Sequence, residues 1–398
     1  MKVGIVGLGA RISHVAALFK KSKPDYQFVA YCDPTPAGLD YLEQQSGDRL
    51  TSYDRLDQML KAEKLDMLMI GSPNHLHIDH LRDALKSDVP YIFTEKPVVI
   101  DEDQTWELLE LMRDNGGHRR VMIGLVLRYS PLYVALKDVQ AKGQLGKIVS
   151  IEAAEHIGAY HGSFFMHDWR RYSKFSGGFM LEKCCHDIDL YQGVVGQRPK
   201  YISSFGGRKS FVPENRPETA PDFDAISAEV LGGEVTRVNP FRPRWGGGNS
   251  DFESDGDIID YQIANVEYED GSVMAFHCNM NVPDEFRRFA IIGTRGMAEG
   301  DFIRNTFKVT DAFTTRTLQD SAAVSSTGRA NHYGADDMMA RDIAAFIEDG
   351  VPLKVTVLDA LEAGLTAIKM DEARLERKVI DMTDTWAKFD SFGLRKGD

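Results

Sequence analysis

Three residues able to move a proton stand out by their setting. The apolar run Tyr91-Ile92-Phe93 leads into Thr94-Glu95-Lys96-Pro97, so a strand delivers a lysine into a turn that proline constrains. Farther on, Glu182, His186 and Asp189 fall at i, i+4 and i+7 within the stretch Ser176 to Asp189. On a helix that spacing makes one polar stripe, with Leu181, Cys185 and Ile188 turned to the core. An imidazole titrates near neutrality and can accept a hydroxyl proton, a carboxylate one turn earlier can orient it, and an ammonium can polarise an oxygen. The expected chemistry is proton transfer at a substrate hydroxyl, with Lys96, His186 and Glu182 as the reacting groups and Asp189 as a structural partner. One histidine on an amphipathic helix is usually structural; the combination carries the reading.

The chain starts Met1-Lys2-Val3-Gly4-Ile5-Val6-Gly7-Leu8-Gly9, a strand pattern running into a Gly-x-Gly turn. Without Cβ atoms, Gly7 and Gly9 let the backbone approach a pyrophosphate, which then sits on the N-terminus of the following helix, where Ala10, Arg11 and Ile12 are further expected cofactor contacts. The third position of this pattern is Ile12 rather than glycine or alanine, which predicts a slightly wider approach of helix and strand. Asp33 ends the second strand-like run, where a carboxylate accepts ribose hydroxyls and repels a 2′-phosphate. No arginine lies at 34–38 to offset it. The expected cofactor is therefore NAD rather than NADP. The alternative is that Asp33-Pro34 only begins a turn.

In this order, the glycine-rich start, Glu95-Lys96-Pro97 and the Glu182/His186 segment resemble the Gfo/Idh/MocA oxidoreductases, named after glucose–fructose oxidoreductase, inositol dehydrogenase and a rhizopine-catabolism protein. Gly71-Ser72-Pro73-Asn74-His75-Leu76-His77 resembles that family's Thr-Pro-Asn-x-x-His turn along the cofactor. The resemblance implies that Ser72, Pro73, Asn74, His77, Glu95 and Lys96 lie on the cofactor side. The bland alternative makes Asn74 a helix N-cap and His77 a surface residue. Arg128-Tyr129-Ser130-Pro131 resembles the family's hinge, and His332-Tyr333-Gly334-Ala335-Asp336 its late His-x-Gly-x-Asp turn, with His332 reaching the cleft or Asp336 capping a helix. Glu182 stands where the family pattern Asp-x-x-x-His has aspartate, one methylene longer, so substrate position or choice should differ. In related enzymes the Lys-Pro bond is often cis.

The resemblance implies an NAD-dependent oxidoreductase that moves a hydride between a carbohydrate or cyclic polyol and the nicotinamide. It also implies a Rossmann domain over 1–127, a substrate-binding domain over 128–398, and a homodimer or homotetramer joined by the second domain's sheet. Two rivals stand beside it. One is an NAD-dependent glycoside hydrolase, using transient oxidation, elimination, hydration and re-reduction on an acidic or sulfonated sugar glycoside. The other is a non-catalytic cofactor-binding protein.

His156, Tyr160, His161, His167, Asp168, Trp169, Arg170 and Arg171 crowd the approach to the Glu182/His186 segment. Aromatic, arginine and histidine side chains suit sugar faces, hydroxyls or an acidic substituent. Arg128, Tyr160, His167, Asp168, Trp169 and Arg170 are accordingly the expected substrate contacts. Arg242, Arg244 and Trp245 repeat that composition in a Pro- and Gly-rich stretch over 206–256, expected to be a long loop. The histidine spacing matches no zinc helix, and no metal is expected.

Apolar runs at 2–6, 27–32, 65–70, 91–93 and 120–125 alternate with helical patterns, which predicts a doubly wound parallel sheet. Beyond Pro131 strands follow one another with few helices between, which predicts an α+β domain with a large, mostly antiparallel open sheet. At 398 residues two domains are the default. A net charge of −13 argues against nucleic acid. No apolar run approaches the roughly 18 residues of a membrane span, no leader pattern precedes the first strand, and four cysteines follow no disulfide or zinc spacing. The expected setting is cytoplasmic.

Overall fold

The computed structural model describes residues 1–219, 221–230, 251–321 and 329–395. Strands β1 (Lys2–Val6), β2 (Gln27–Cys32), β3 (Thr51–Ser52), β4 (Met67–Ile70), β5 (Tyr91–Thr94) and β6 (Val121–Ile123) form a parallel sheet in the order β3-β2-β1-β4-β5-β6. Val3, Ile5, Met67, Met69, Ile92 and Phe93 are fully buried, because helices cover both faces; hence the unbroken apolar runs. Strand order reverses between β1 and β4. The crevice beyond their carboxyl ends is where an open α/β sheet binds its ligand, and Gly7 and Gly71 stand there.

Nine further strands make a second sheet: β7 (Ile148–Gly158), β8 (Pro199–Gly207), β9 (Tyr261–Tyr268), β10 (Val273–Val282), β11 (Phe286–Gly293), β12 (Gly296–Asp301), β13 (Thr306–Asp311), β14 (Thr317–Ser321) and β15 (Ile380–Asp381). Their order is β14-β13-β12-β11-β7-β10-β9-β8-β15, antiparallel except where β7 runs parallel to β10. Alternate residues of β9 are buried, and the helices Cys185–Val195 and Val357–Glu376 belong to the covered side. The opposite face exposes Phe205, Ile263 and Val273. Short β3, β12, β14 and β15 lack the apolar patterns that marked the other strands.

Helix Ala335–Asp349, late in the sequence, packs on the first helix, Ala10–Ser22, and Lys21 and Lys23 pair with its Asp337 and Glu348. The parallel sheet is thus closed by residues from the far end of the chain. The stretch expected to be one long loop includes a helix at Phe223–Val230; Arg242, Arg244 and Trp245 lie outside the described residues. Among the described residues no helix is long and apolar enough to cross a membrane.

Candidate active site

The crevice is built on glycines that nothing larger could replace. Gly7 sits at φ +77°, and a Cβ there would lie 2.2 Å from the Ser72 backbone nitrogen. Gly9 is the N-cap of helix Ala10–Ser22, whose free N–H groups point at the turn. Ile12 does not widen the approach. A Cβ on Gly71 would come within 2.4 Å of the Ile12 Cβ, so the room the third glycine usually makes is supplied by Gly71 on the facing turn. Asp33 directly follows β2, and its Oδ1 accepts the Thr35 N–H at 2.6 Å, so the turn role occupies one of its two oxygens. This cradle with a carboxylate at the tip of β2 fits a dinucleotide with a free ribose 2′-hydroxyl.

Several side chains expected to face the cofactor are committed to the protein. Arg11 donates to Glu95 at 3.0 Å and to both oxygens of Asp336, at 3.0 and 2.7 Å. Burial disfavours its charge, but the two carboxylates outweigh that and hold its pKa above the ordinary value. Asp336 also takes His332 Nδ1 at 2.9 Å. His77 is buried rather than on the surface, bridging the Ser72 and Pro97 carbonyls at 2.8 Å each. A neutral ring satisfies only one carbonyl at a time, and burial lowers its pKa. Asn74 is not an N-cap: its amide donates to the Ser176 carbonyl at 3.0 Å and to Glu182 Oε2.

The expected single helix through Glu182 and His186 is broken. One helical turn spans Phe179–Glu182, a turn follows at Lys183 and Cys184, and the next helix is Cys185–Val195. The Glu182 carbonyl, which a continuous helix would offer to the His186 N–H, accepts from Lys96 Nζ at 2.5 Å. Lys96 Nζ also lies 3.6 Å from Glu182 Oε1. The Lys96–Pro97 bond is cis. Glu182, His186 and Asp189 are all buried, and Asp189 pairs with Arg128 at 2.5 Å.

His186 faces this centre with an unsatisfied nitrogen: its Nδ1 is buried without a hydrogen-bond partner. Burial first, then the charges of Lys96 and His332, push its pKa well below 6.5. The ring is neutral near pH 7 and able to accept a proton. The His332 ring centroid lies 5.8 Å away. His332, Tyr333 and Gly334 occupy the left-handed region in succession, at φ 43°, 60° and 89°. Below the broken helix, Arg287 joins Glu155 (2.5 Å) to Asp187 (3.0 Å), and Lys183 pairs with Glu155 at 3.1 Å. Glu155 shares two cations and is held low despite burial, whereas burial pushes Asp187 up. Nothing in the sequence pattern signalled this quartet.

The expected substrate contacts part company. Arg170 reaches the centre, with Nε 3.5 Å from Glu182 Oε1, and Trp169 packs beside it. His167 pairs with Asp251 at 2.5 Å. Tyr160 bonds Glu285. Asp168 is buried at φ 53°. Arg128 serves Asp189 and Asp359 and lines a separate cleft with Gln192 and Arg198. Among the described residues, no three His, Cys, Asp or Glu side chains are grouped to hold a metal ion.

Comparison with known proteins places both parts of the chain in one family. The family described as "Oxidoreductase family, NAD-binding Rossmann fold" (GFO_IDH_MocA) matches residues 1–125, and its "C-terminal alpha/beta domain" matches 139–376. YteT of Bacillus subtilis is 24% identical over 370 residues, covering 84% of this chain and 85% of its own. An inositol 2-dehydrogenase/D-chiro-inositol 3-dehydrogenase of Lactiplantibacillus plantarum is 24% identical over 234 residues, 57% of this chain and 62% of the relative. Among solved structures, levoglucosan dehydrogenase with NADH and levoglucosan superposes with a TM-score of 0.73 at 15% identity, covering 96% of this chain and 99% of that one. Scyllo-inositol dehydrogenase from Lactobacillus casei, with NAD(H) and scyllo-inositol, gives 0.70 at 18% identity and the same coverage. At these identities the superpositions establish the fold.

Proposed function

The chain belongs to the Gfo/Idh/MocA family of NAD-binding oxidoreductases, and from that premise we propose that it oxidises a hydroxyl of a carbohydrate or cyclic polyol, with Lys96, Glu182 and His186 at the reacting centre. Bound NAD supplies the hydride acceptor; Gly7, Gly9, Ala10, Ile12, Asp33, Ser72 and Pro73 would hold it. Lys96 bonds the substrate oxygen and polarises it. His186 takes the hydroxyl proton on its unpartnered ring nitrogen as the C–H bond gives up its electron pair. Glu182, positioned by Asn74 and Lys96, accepts from a neighbouring hydroxyl. Reduction runs the same transfers backwards.

The observation that carries this reading is the 2.5 Å bond from Lys96 Nζ to the Glu182 carbonyl, which brings a lysine of the nucleotide sheet to the segment bearing the other two groups. We take 1–127 as the cofactor unit, closed by helix Ala335–Asp349, and the remainder as the substrate unit. The exposed strand face with Phe205, Ile263 and Val273 supports a homodimer or homotetramer, and four cysteines without disulfides agree with a cytoplasmic setting.

The test is a panel of sugars, inositols and sugar acids, scored by NADH absorbance. Reduction of NAD by at least one, abolished in Lys96→Ala, supports the proposal. Release of aryl leaving groups from glycosides without NADH build-up would replace it with redox-neutral glycoside cleavage.

A further inference from the structure

Among the described residues, Arg170 brings to this centre a buried guanidinium Nε without a hydrogen-bond partner. Its guanidinium packs against the rings of Phe164 (4.1 Å) and Trp169 (4.2 Å), which fix its plane. Its side chain is 19% exposed, and Nε is buried with no hydrogen-bond partner. The approach to Glu182 Oε1 spans 3.5 Å, long for a hydrogen bond, and Glu182 is already served by Lys96 and Asn74. Other buried arginines differ. Arg11, Arg128 and Arg287 each grip carboxylates, and their pKa values rise. Arg120 and Arg208 spend their donors on backbone carbonyls. For Arg170 burial outweighs Glu182 and Asp168, and its pKa falls: a cation held away from water and under-compensated. Folding leaves such a group only where something else completes it.

We propose that Arg170 binds a carboxylate carried by the substrate, which makes the substrate class a uronic acid or a uronate-bearing glycoside rather than a neutral sugar or inositol. This rests on the dehydrogenase reading above. Arg170 Nε and Lys96 Nζ approach the same oxygen, Glu182 Oε1, so a ligand bound to the guanidinium lies next to the reacting centre. A carboxylate matches the planar fork of N–H donors with two oxygens and cancels the charge; a hydroxyl, with one oxygen and no charge, does neither. Phe164, 40% exposed at the edge of this group, is placed to cover a sugar face.

The experiment compares galacturonate with galactose and glucuronate with glucose, adding glucuronamide as a neutral isostere. The wild type should prefer the acid in kcat/KM. In Arg170→Gln the acid-over-neutral ratio should drop about 30-fold, mainly through KM, the scale of a charge-assisted bond. Arg170→Lys should recover part of it, with melting temperature and NAD affinity checking that both variants are folded. Equal use of acid and neutral sugar by the wild type, an equal loss on both in Arg170→Gln, or a loss confined to NAD affinity would each overturn the assignment while leaving the dehydrogenase reading intact. If no sugar reduces NAD, that reading fails. Calorimetry of galacturonate against the NAD-loaded protein then decides Arg170 alone: binding weakened by Arg170→Gln supports it, and no binding or no difference refutes it.

Discussion

Lys96 Nζ and the Glu182 carbonyl meet at 2.5 Å, and the helix is interrupted at that point. A carbonyl released from helical bonding must find another donor when buried, and here the donor is a side chain from the other sheet. The break and the lysine therefore support each other. Straightening the helix would remove the carbonyl from Lys96; removing Lys96 would leave a buried carbonyl unsatisfied.

Lys96→Ala should lower turnover by about 100-fold or more, the usual scale for a lost acid–base or polarising group. NAD affinity, followed by fluorescence titration, should change far less, because the glycine cradle and Asp33 are untouched. Full turnover in Lys96→Ala with the true substrate would remove Lys96 from the chemistry.

The rate should show an acid limb and little change above it. His186 acts as a base when neutral, and burial with Lys96 and His332 lowers its pKa well below 6.5. Activity is thus present above that lowered pKa and is lost as pH falls through it. The limb in kcat/KM should lie below pH 6.5 and be absent from the residual rate of His186→Asn. A limb above 6.5 would mean that another group accepts the proton.

Much of the fold was legible because local pattern and burial agree. β1, β2 and helix Glu102–Asp114, N-capped by Asp101, carry their limits in plain sequence. β12 does not: Gly-Met-Ala-Glu-Gly-Asp has no apolar alternation, and pairing with β11 and β13 makes it a strand. The break at Lys183 and Cys184 was hidden too. Neither residue breaks helices, and its partner Lys96 is 86 positions away. Composition singled out arginines and histidines near the site but could not say which were already paired. Arg128 went to Asp359 and His167 to Asp251, carboxylates distant in sequence, and Arg170 alone of these reached Glu182.

Gly71→Ala should be destabilising through a contact with one identified residue. Its Cβ would fall 2.4 Å from that of Ile12, and backbone or side chain must shift. A cost of about 1–3 kcal/mol is expected for such overpacking. In Ile12→Gly that Cβ is gone, so in urea titrations Gly71→Ala should cost less in the Ile12→Gly background than in the wild type. Additive losses would show that Gly71 is needed for a different reason.

Arg287→Met should cost about 3–5 kcal/mol in stability, since it leaves Glu155 and Asp187 buried with only Lys183 to answer them. Adding Asp187→Asn should recover part of that loss. Unfolding free energies of the wild type, both single variants and the double, taken at one pH, give the coupling.

Stability itself should fall as the medium turns mildly acidic. Burial and neighbouring His277 push His156 down to about 4, and burial with His77 does the same to His80. Both groups have an ordinary value of 6.5 when unfolded. Between these limits the unfolded chain binds protons that the folded chain refuses, so stability is complete above 6.5 and drains away as pH drops toward 4. Each histidine contributes up to about 1.4 kcal/mol per pH unit within that window. His156 Nδ1 meets the Asn279 amide at 3.0 Å, which a neutral ring accepts and a protonated one cannot. Unfolding free energies of the wild type and His156→Gln, measured across this range, should therefore diverge in slope by close to one proton. Parallel curves would mean that His156 opens to water and takes up its proton while the protein remains folded.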